Sequence, residues 1–573
     1  MDMKIQETYE LWLAEATEDP DLIAELQAIA EDEAAIFDRF YCELEFGTAG
    51  LRGVIGAGDN RMNIYTVRKA TQGLANYLKA HHAASSVAIA YDPRIKSELF
   101  AREAARVLAG NGVTVYLLDE LNPTPVLSFA VRELQCQSGI MVTASHNPAK
   151  YNGYKCYGPN GGQMTDDDAN EVTAYVRALD MFRDVTVADF DEAIADGRIK
   201  MVGQELVEKF LDQVETQQVN PGICKQAPLS VIFSPLNGTG NKPVRAILKR
   251  IGLTDVRIVA EQELPDGNFP TTPFPNPEFR QVFELAIEMA KGSTADLLLA
   301  TDPDCDRVGI AVLQGAEYVL LTGNEVGCLL LEYILSCKQA AGKLPAAPMM
   351  VKTIVTSDLS ASVAKKYGCR TVEVLTGFKY IGEQIDALLA AGCPENYMLG
   401  FEESYGYLSG THVRDKDAVV ASMLICEMAA YYKAQGKTLL DVLNGLYVEH
   451  GVYLHSLLNA QFEGAEGMET MKNLMENLRA NRPADIAGVP VVGFADYRES
   501  VSVDLTTGTT EAIDLPKSNV LSYKLEGNTS VIIRPSGTEP KIKAYITATG
   551  ADMAAAEAMT EKLQAAAAEM LKA

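Results

Sequence analysis

The chain has no Cys-x-x-Cys pair among its ten cysteines and no histidines at zinc-ligand spacing. A zinc framework is therefore not expected, the length of 573 residues excludes a small disulfide-stapled protein, and most of the cysteines read as reduced core or surface residues. Long hydrophobic runs are also missing. None approaches the ~18 residues that span a bilayer, and the longest, such as Ala418 to Cys426, are of core length. Near the N-terminus Asp2, Lys4, Glu7 and Glu10 stand where a secretory signal needs an apolar stretch, and the Arg/Ser bias of a transit peptide is absent. A cytoplasmic protein with no membrane partner is expected. Cations are scarce: 50 Lys and Arg face 77 Asp and Glu, for a net charge of −27. That is the wrong sign for tracking phosphate backbones, so nucleic acid is not an expected partner. A small anionic substrate stays compatible, because beyond a Debye length of ~8 Å the global field is screened and local Lys and Arg decide binding. No GxxxxGK[ST] loop is present, which removes the P-loop nucleotide binders.

What is there is an ordinary globular composition, 47% hydrophobic and 22% charged over 573 residues, enough for about four domains. Residues 1–45 carry Leu11, Leu22, Leu26, Ile29 and Ile36 at helical spacings and predict a helical N-terminal extension. A strand, helix, strand pattern then recurs three times. Its members are Ser86 to Tyr91, Glu98 to Ala109 (with Ser97 as N-cap) and Val113 to Leu118; Leu229 to Phe233, Lys242 to Ile251 and Val256 to Ala260; and Met349 to Val355, Leu359 to Tyr367 and Thr371 to Leu375. After Gly467 the pattern changes. Met468 to Asn481 and Ala554 to Leu571 read as helices, Val489 to Gly493 and Ser530 to Ile533 as strands. The fold class expected is α/β: three successive similar α/β domains plus a smaller α+β C-terminal domain. The polar stretch Gln217 to Pro228 and the region from His450 to about Glu466 mark boundaries. The division is 1–45, 46–216, 217–324, 325–455 and 456–573.

Four segments carry chemistry. Thr143-Ala144-Ser145-His146-Asn147-Pro148 follows the strand-like Gly139 to Val142 and precedes Asn152-Gly153, where the chain is expected to turn again. Such a turn presents Ser145 at a strand's carboxyl end, where α/β sheets bind ligands; a plain structural loop is the alternative. A hydrolase triad is disfavoured, since adjacent Ser and His seldom align as nucleophile and base. Thr301-Asp302-Pro303-Asp304-Cys305-Asp306-Arg307 follows the buried strand Asp296 to Ala300. Three alternating carboxylates repel unless a cation neutralises them, and hard oxygen donors in a short loop suit Mg²⁺. The EF-hand alternative fails, with Arg307 where Gly is required and Leu313 where Glu should stand. A solvated acidic turn remains, and Cys305 is expected to point away from an ion. Arg534-Pro535-Ser536-Gly537-Thr538 lies between two strands and offers a guanidinium fork, hydroxyls and a bared backbone to an anion; a polar hairpin loop is the alternative. Gly400-Phe401-Glu402-Glu403-Ser404, preceded by Thr376-Gly377-Phe378-Lys379, sets side-by-side carboxylates to accept from vicinal sugar hydroxyls. Glycosidase pairing is disfavoured, because neighbours on a strand face opposite ways, and a solvated turn stays open.

In this order the four segments resemble the α-D-phosphohexomutase superfamily, from about Phe46 to the C-terminus. Phe46 to Gly53 and Asn60 to Asn63 are similar to its longer phosphoglucomutase and phosphopentomutase branch. The resemblance implies four domains around a central cleft, with a phosphoserine at Ser145. It implies Mg²⁺ held by Asp302, Asp304, Asp306 and a phosphoserine oxygen. Glu402 and Ser404 would hold sugar hydroxyls with help from Thr376 and Gly377, and Arg534, Ser536, Gly537 and Thr538 the phosphate that is not reacting. Arg307 and Lys155 fall at positions that stabilise phosphoryl charge or assist proton transfer, and Arg52, His146, Arg94 and Lys416 are further cations or proton carriers.

The activity implied is glucose 1-phosphate to glucose 6-phosphate through glucose 1,6-bisphosphate, with the phosphosugar as the small-molecule partner and the oligomeric state open. The alternative is a phosphopentomutase acting on ribose or deoxyribose 1-phosphate; a glucose 1,6-bisphosphate synthase, a phosphomannomutase, a silent phosphosugar-binding protein and a metal-dependent phosphatase rank lower. Phe378 and Gly406 stand where the dual phosphomannomutase type has histidines, which argues against mannose.

Overall fold

The computed structural model describes residues 3–47, 50–462, 467–536 and 541–572. The chain divides into two compact units: Met1–Thr322 with Ile381–Leu399 and Ser404–Gln435, and Gly323–Tyr380 with Gly400–Glu403 and Gly436–Ala573.

The first unit opens with helices Met3–Glu15, Pro20–Ala28 and Glu33–Phe40. Ile5, Tyr9 and Trp12, spaced four and three apart, form the buried stripe of the first helix, and Ala16 just beyond its end is buried too. Trp12 is fully buried, edge-on to Phe40, Tyr65 and Phe182, and its indole N–H donates to Asp59 Oδ1 at 2.8 Å. Leu11, expected on that face, is 41% exposed because the stripe runs through its neighbour instead.

Six strands follow: β1 (Leu51–Val54), β2 (Ser86–Tyr91), β3 (Thr114–Leu118), β4 (Ser138–Val142), β5 (Tyr151–Tyr157) and β6 (Ile199–Val202). They form one sheet in the order β1-β5-β4-β2-β3-β6, with β2, β3, β4 and β6 parallel and β5 antiparallel to both β4 and β1. Val87 to Ala90 and Ile140 to Val142 are fully buried, as continuous apolar strands covered on both faces must be. Helix Ser97–Gly110 joins β2 to β3 as expected, but its N-cap is Lys96, in the left-handed region at φ 62. Ser97, expected to cap, spends its hydroxyl on Asp92 Oδ1 instead. Asn152-Gly153 is not a turn; it lies inside β5. A Cβ on Gly153 would sit 2.5 Å from the Thr143 carbonyl oxygen and 2.8 Å from that of Leu51, so the glycine permits a close strand approach.

A second mixed sheet is built from β7 (Ser230–Ser234), β8 (Asp255–Ile258), β9 (Leu297–Thr301), β10 (Val308–Gln314) and β11 (Glu317–Leu321), ordered β11-β10-β9-β7-β8. Here β7, β8 and β9 run parallel and β10 folds back antiparallel on β9, which places the turn 302–307 at the carboxyl end of the parallel strands.

In the second unit β12 (Met349–Thr353) and β13 (Arg370–Val374) pair parallel across helix Leu359–Lys366, the third recurrence of the pattern. Strands β14 (Tyr397–Glu402) and β15 (Gly406–Leu408) follow in the chain. The C-terminal part is β-rich: β16 (Val452–Gln461), β17 (Asp485–Ile486), β18 (Val489–Asp496), β19 (Val501–Asp504), β20 (Thr510–Ala512), β21 (Leu521–Leu525), β22 (Thr529–Pro535) and β23 (Lys541–Gly550), in the order β16-β23-β22-β21-β18-β19-β20 with β17 on β18. Helices Gly467–Ala480 and Met553–Met570 bury Leu474, Met475, Leu563 and Ala567 against Tyr523, Val531, Ile533 and Ile546. This is the expected α+β end domain. Among the described residues no helix is long and apolar enough to cross a membrane.

Candidate active site

Ser145 lies three residues beyond the end of β4, 4% exposed, with φ at 54. Its amide donates to Thr143 Oγ1 at 2.8 Å, and its own Oγ donates to Asp302 Oδ2 at 3.1 Å. The first two sequence motifs thus meet, although 157 residues separate these two side chains. His146 Nδ1 stands 3.2 Å from Ser145 Oγ, so the adjacent pair does come within hydrogen-bonding distance. Burial, and then the charges of Arg307 and Arg52, hold the imidazole well below its usual range, so it is neutral at physiological pH. Among the described residues no carboxylate orients it, so a triad is absent.

Asp302, Asp304 and Asp306 are almost completely buried, with ligand atoms within 4.8 Å of one another. Asp302 Oδ1 accepts from the amides of Asp306 and Arg307. Burial raises its carboxyl far above the usual range, and Asp304 and Asp306 add to this. Burial and then Asp304 raise Asp306 as well. Asp304 goes the other way: burial opposes ionisation, but the Lys155 ammonium at 3.0 Å outweighs it and holds the carboxyl low. Asp304 Oδ1 and Asp306 Oδ1 have no hydrogen-bond partner. Orphaned hard oxygens in a cluster of three carboxylates fit a metal cation. Cys305 Sγ is turned toward Gly240 and Thr301 and is not in the cluster, as expected.

Two ammonium groups answer three carboxylates. Lys155, on β5, reaches Asp304, and Lys416 Nζ lies 3.0 Å from both Asp306 and Asp415. Asp415 in turn accepts from the Tyr157 hydroxyl at 2.8 Å. The Arg307 guanidinium donates to Glu278 at 2.9 Å and lies 3.8 Å from Asp306. Arg52 sits at an exposed position of β1, in register with Gly153. Arg94, expected as a cation or proton carrier, instead donates to four backbone carbonyls and faces no solvent.

In the second unit Glu402, at the end of β14, accepts from the Gly377 amide at 2.9 Å, and Glu403 accepts from Thr356 at 3.3 Å. Thr376 Oγ1 is buried without a hydrogen-bond partner. Arg534 lies on β22 opposite Lys543 and hydrogen-bonds Tyr545, whose phenol is pushed up by burial and then by Glu403. The two loops of that unit therefore converge on Tyr545. Ser536 is half-buried, its amide donating to Lys541 O at 2.7 Å. Gly537 and Thr538 lie outside the described residues, and Ser404 belongs to the first unit.

Several contributors escaped sequence reasoning. Thr124 hydroxyl donates to Asp304 Oδ2 at 3.1 Å and its amide to Asp304 O at 2.9 Å. The turn Pro235 to Gly240 cradles the acidic loop: Thr239 donates twice to Pro303 O, and a Cβ on Gly238 would lie 2.6 Å from Pro303 Cα. The glycine-rich turn after β7 was the available signal.

Three family models match in chain order: phosphoglucomutase/phosphomannomutase alpha/beta/alpha domain I over residues 43–182, domain II over 208–315 and domain III over 322–450. The chain is 37% identical over 544 residues to the phosphoglucomutase of Staphylococcus aureus (strain MRSA252), covering 94% of this chain and 95% of that one. In fold it is similar to the phosphoglucomutase/phosphomannomutase family protein of Burkholderia thailandensis, at TM-score 0.66 and 19% identity, covering 92% of this chain and 97% of that one. It is likewise similar to the open form of parafusin, a phosphoglucomutase from Paramecium, at TM-score 0.67 and 17% identity, covering 92% and 95%.

Proposed function

Because the chain belongs to the phosphoglucomutase/phosphomannomutase family, we propose that it interconverts glucose 1-phosphate and glucose 6-phosphate, with Ser145 carrying the phosphoryl group and glucose 1,6-bisphosphate as intermediate and activator. The observation that supports this reading above others is the contact of Ser145 Oγ with Asp302 at 3.1 Å inside the buried three-aspartate cluster. In each half-reaction a bond forms between phosphorus and a sugar hydroxyl oxygen while the bond to Ser145 Oγ breaks, or the reverse. A Mg²⁺ ion on Asp302, Asp304 and Asp306 supplies positive charge to the transferring group when bound. Lys155, Lys416 and Arg307 hold charge around the same centre, which suits a reaction governed by positioning and electrostatics. His146 Nδ1, neutral and 3.2 Å from Ser145 Oγ, reads as the base that takes the Ser145 hydroxyl proton when Oγ attacks phosphorus and, then as the imidazolium, returns it when Oγ leaves. Glu402 with the Thr376–Gly377 turn reads as the receptor for sugar hydroxyls, and Arg534 with Ser536, Gly537 and Thr538 as the holder of the distal phosphate. A cytoplasmic location suits ten cysteines standing as free thiols.

The test is Ser145→Ala alongside the unaltered chain, assayed on glucose 1-phosphate and deoxyribose 1-phosphate with Mg²⁺ and the bisphosphate. Turnover of the glucose ester that vanishes in Ser145→Ala is expected. Full activity in the variant removes the phosphoserine, and faster turnover of the pentose ester makes the chain a phosphopentomutase with the same machinery.

A further inference from the structure

We propose that Asp92 and Arg94 form a bracket that grips Ser145 at both of its peptide bonds and so aims its Oγ at the aspartate cluster, making the pair positioning residues for phosphoryl transfer. Asp92 works on the amide side. Its Oδ2 accepts from Thr143 Oγ1 at 2.6 Å, and that same hydroxyl oxygen accepts the Ser145 N–H at 2.8 Å. Arg94 works on the carbonyl side. One terminal nitrogen donates to the carbonyls of Ser145 and Asn147, each at 2.5 Å, and the other to those of Pro148 and Tyr151, each at 3.0 Å. A planar fork matched to four carbonyls around one turn is a use that a lysine cannot reproduce.

The two residues are themselves joined. Arg94 N donates to Asp92 Oδ1 at 3.0 Å, and its Nε lies 3.3 Å from Asp92 Oδ2, both side chains being fully buried. Asp92 Oδ1 also takes the Ser97 hydroxyl, which ties the bracket to the start of helix Ser97–Gly110. From the second α/β sheet's side, Phe269 lays its ring 5.0 Å from the Arg94 guanidinium carbon, and Gly267 presses against the loop so closely that a Cβ would meet Ile95 N and Pro93 O at 2.6 Å. The domain that carries the aspartate loop thus braces the residue that holds the serine loop.

Ser145 needs such a grip. Its φ of 54 is a conformation that residues with a Cβ seldom adopt unless their surroundings over-determine it. Released to an ordinary conformation, the side chain would leave Asp302, and small misplacement of a reacting oxygen is expensive in rate.

This inference rests on Ser145 being the phosphate carrier, and the experiment separates the two. Thr143→Val keeps the volume of threonine and removes only the hydroxyl that links Asp92 to the Ser145 amide; Thr143→Ser keeps that hydroxyl. The expected result is a kcat on glucose 1-phosphate lower by roughly 10- to 100-fold in Thr143→Val, with KM little changed, and near-normal kcat in Thr143→Ser. Unaltered kcat in Thr143→Val, a loss carried by KM alone, or a Thr143→Ser variant as impaired as Thr143→Val would overturn the bracket. If instead Ser145→Ala turns over like the unaltered chain, the underlying reading fails.

Discussion

Gly406 is where a single methyl group tests the electrostatic design of the site. A Cβ added there would lie 2.1 Å from Lys416 Cδ and 2.6 Å from Cγ. The lysine stem therefore runs directly over the glycine before its ammonium reaches Asp306 and Asp415, each 3.0 Å away. The clash falls mid-chain, and the far end is anchored between two carboxylates that are both 1% exposed, so the stem has little room to yield. In Gly406→Ala the lysine must leave, and stripping one partner from a buried ion pair costs ~3–5 kcal/mol. If Lys416 also balances charge on the transferring phosphoryl group, losing it slows kcat by ~10²–10³-fold. The same loss removes a positive charge that competes for Asp306, so the Mg²⁺ requirement should be met at equal or lower concentration even as turnover falls. Steady-state kcat, a Mg²⁺ titration and a thermal scan on Gly406→Ala, Lys416→Met and the double variant check this. If the glycine acts through the lysine, the double variant is no worse than Lys416→Met alone. Gly406→Ala turning over at the unaltered rate with an unaltered thermal midpoint refutes the reasoning. Gly406→His should cost activity here and gain none on mannose 1-phosphate, since the imidazole needs the space the lysine occupies.

Two further outcomes follow from the supports around the site. Gly238→Ala pushes a methyl group to 2.6 Å from Pro303 Cα, a backbone atom between two metal-site aspartates; Mg²⁺ affinity by calorimetry should weaken on the order of 10- to 100-fold, as for other residues that orient ligands, and unchanged affinity would show that the turn yields freely. Asp59 is pushed up to about 6 by burial, against the pull of the Trp12 N–H. The folded chain therefore binds this proton more tightly than the unfolded chain, and stability falls as pH rises through the window from the ordinary carboxylate range to about 6. Its share is roughly 3 kcal/mol. Urea unfolding followed by the fluorescence of Trp12, the single tryptophan, should show docking of the N-terminal helices to be firmer at pH 5 than at pH 7. Asp59→Asn should remove the difference, and an undiminished pH dependence in that variant would place the titration elsewhere.

Elements made of one continuous apolar or periodic run were legible within a residue or two. The strands at 86–91, 138–142 and 297–301 and the helices at 241–250 and 359–366 are examples, because burial on both faces or on one stripe writes itself into the local sequence. Leu11 was misread because one helix turn offers two apolar neighbours and only packing against Tyr65 and Phe182 chooses Trp12. Ser97 was misread as a cap because its competitor, Asp92, is a tertiary partner of the cap region. Asn152-Gly153 has the composition of a turn, yet the glycine answers to the carbonyls of Thr143 and Leu51, and no local signal separates the two uses.

The site followed the same division. The segments of Ser145 and the three aspartates left a structural loop and a solvated acidic turn open as alternatives, and the structure brings these residues to one centre. Lys155 and Lys416 were read as cations and are paired as such, whereas Arg94, of the same charge, is committed to carbonyls. What distinguishes them is the partner: a carboxylate leaves the ammonium's remaining donors and its field aimed at the centre, while four carbonyls exhaust the fork. Composition counts charges, and a net of −27 said only that the surface is acidic. The cations that decide the chemistry are few and buried, each fixed by a contact that spans many residues of chain, 149 between Lys155 and Asp304. Long-range pairing of that kind sets ammonium groups beside a buried carboxylate cluster, and it is the part of the site that only the folded chain can specify.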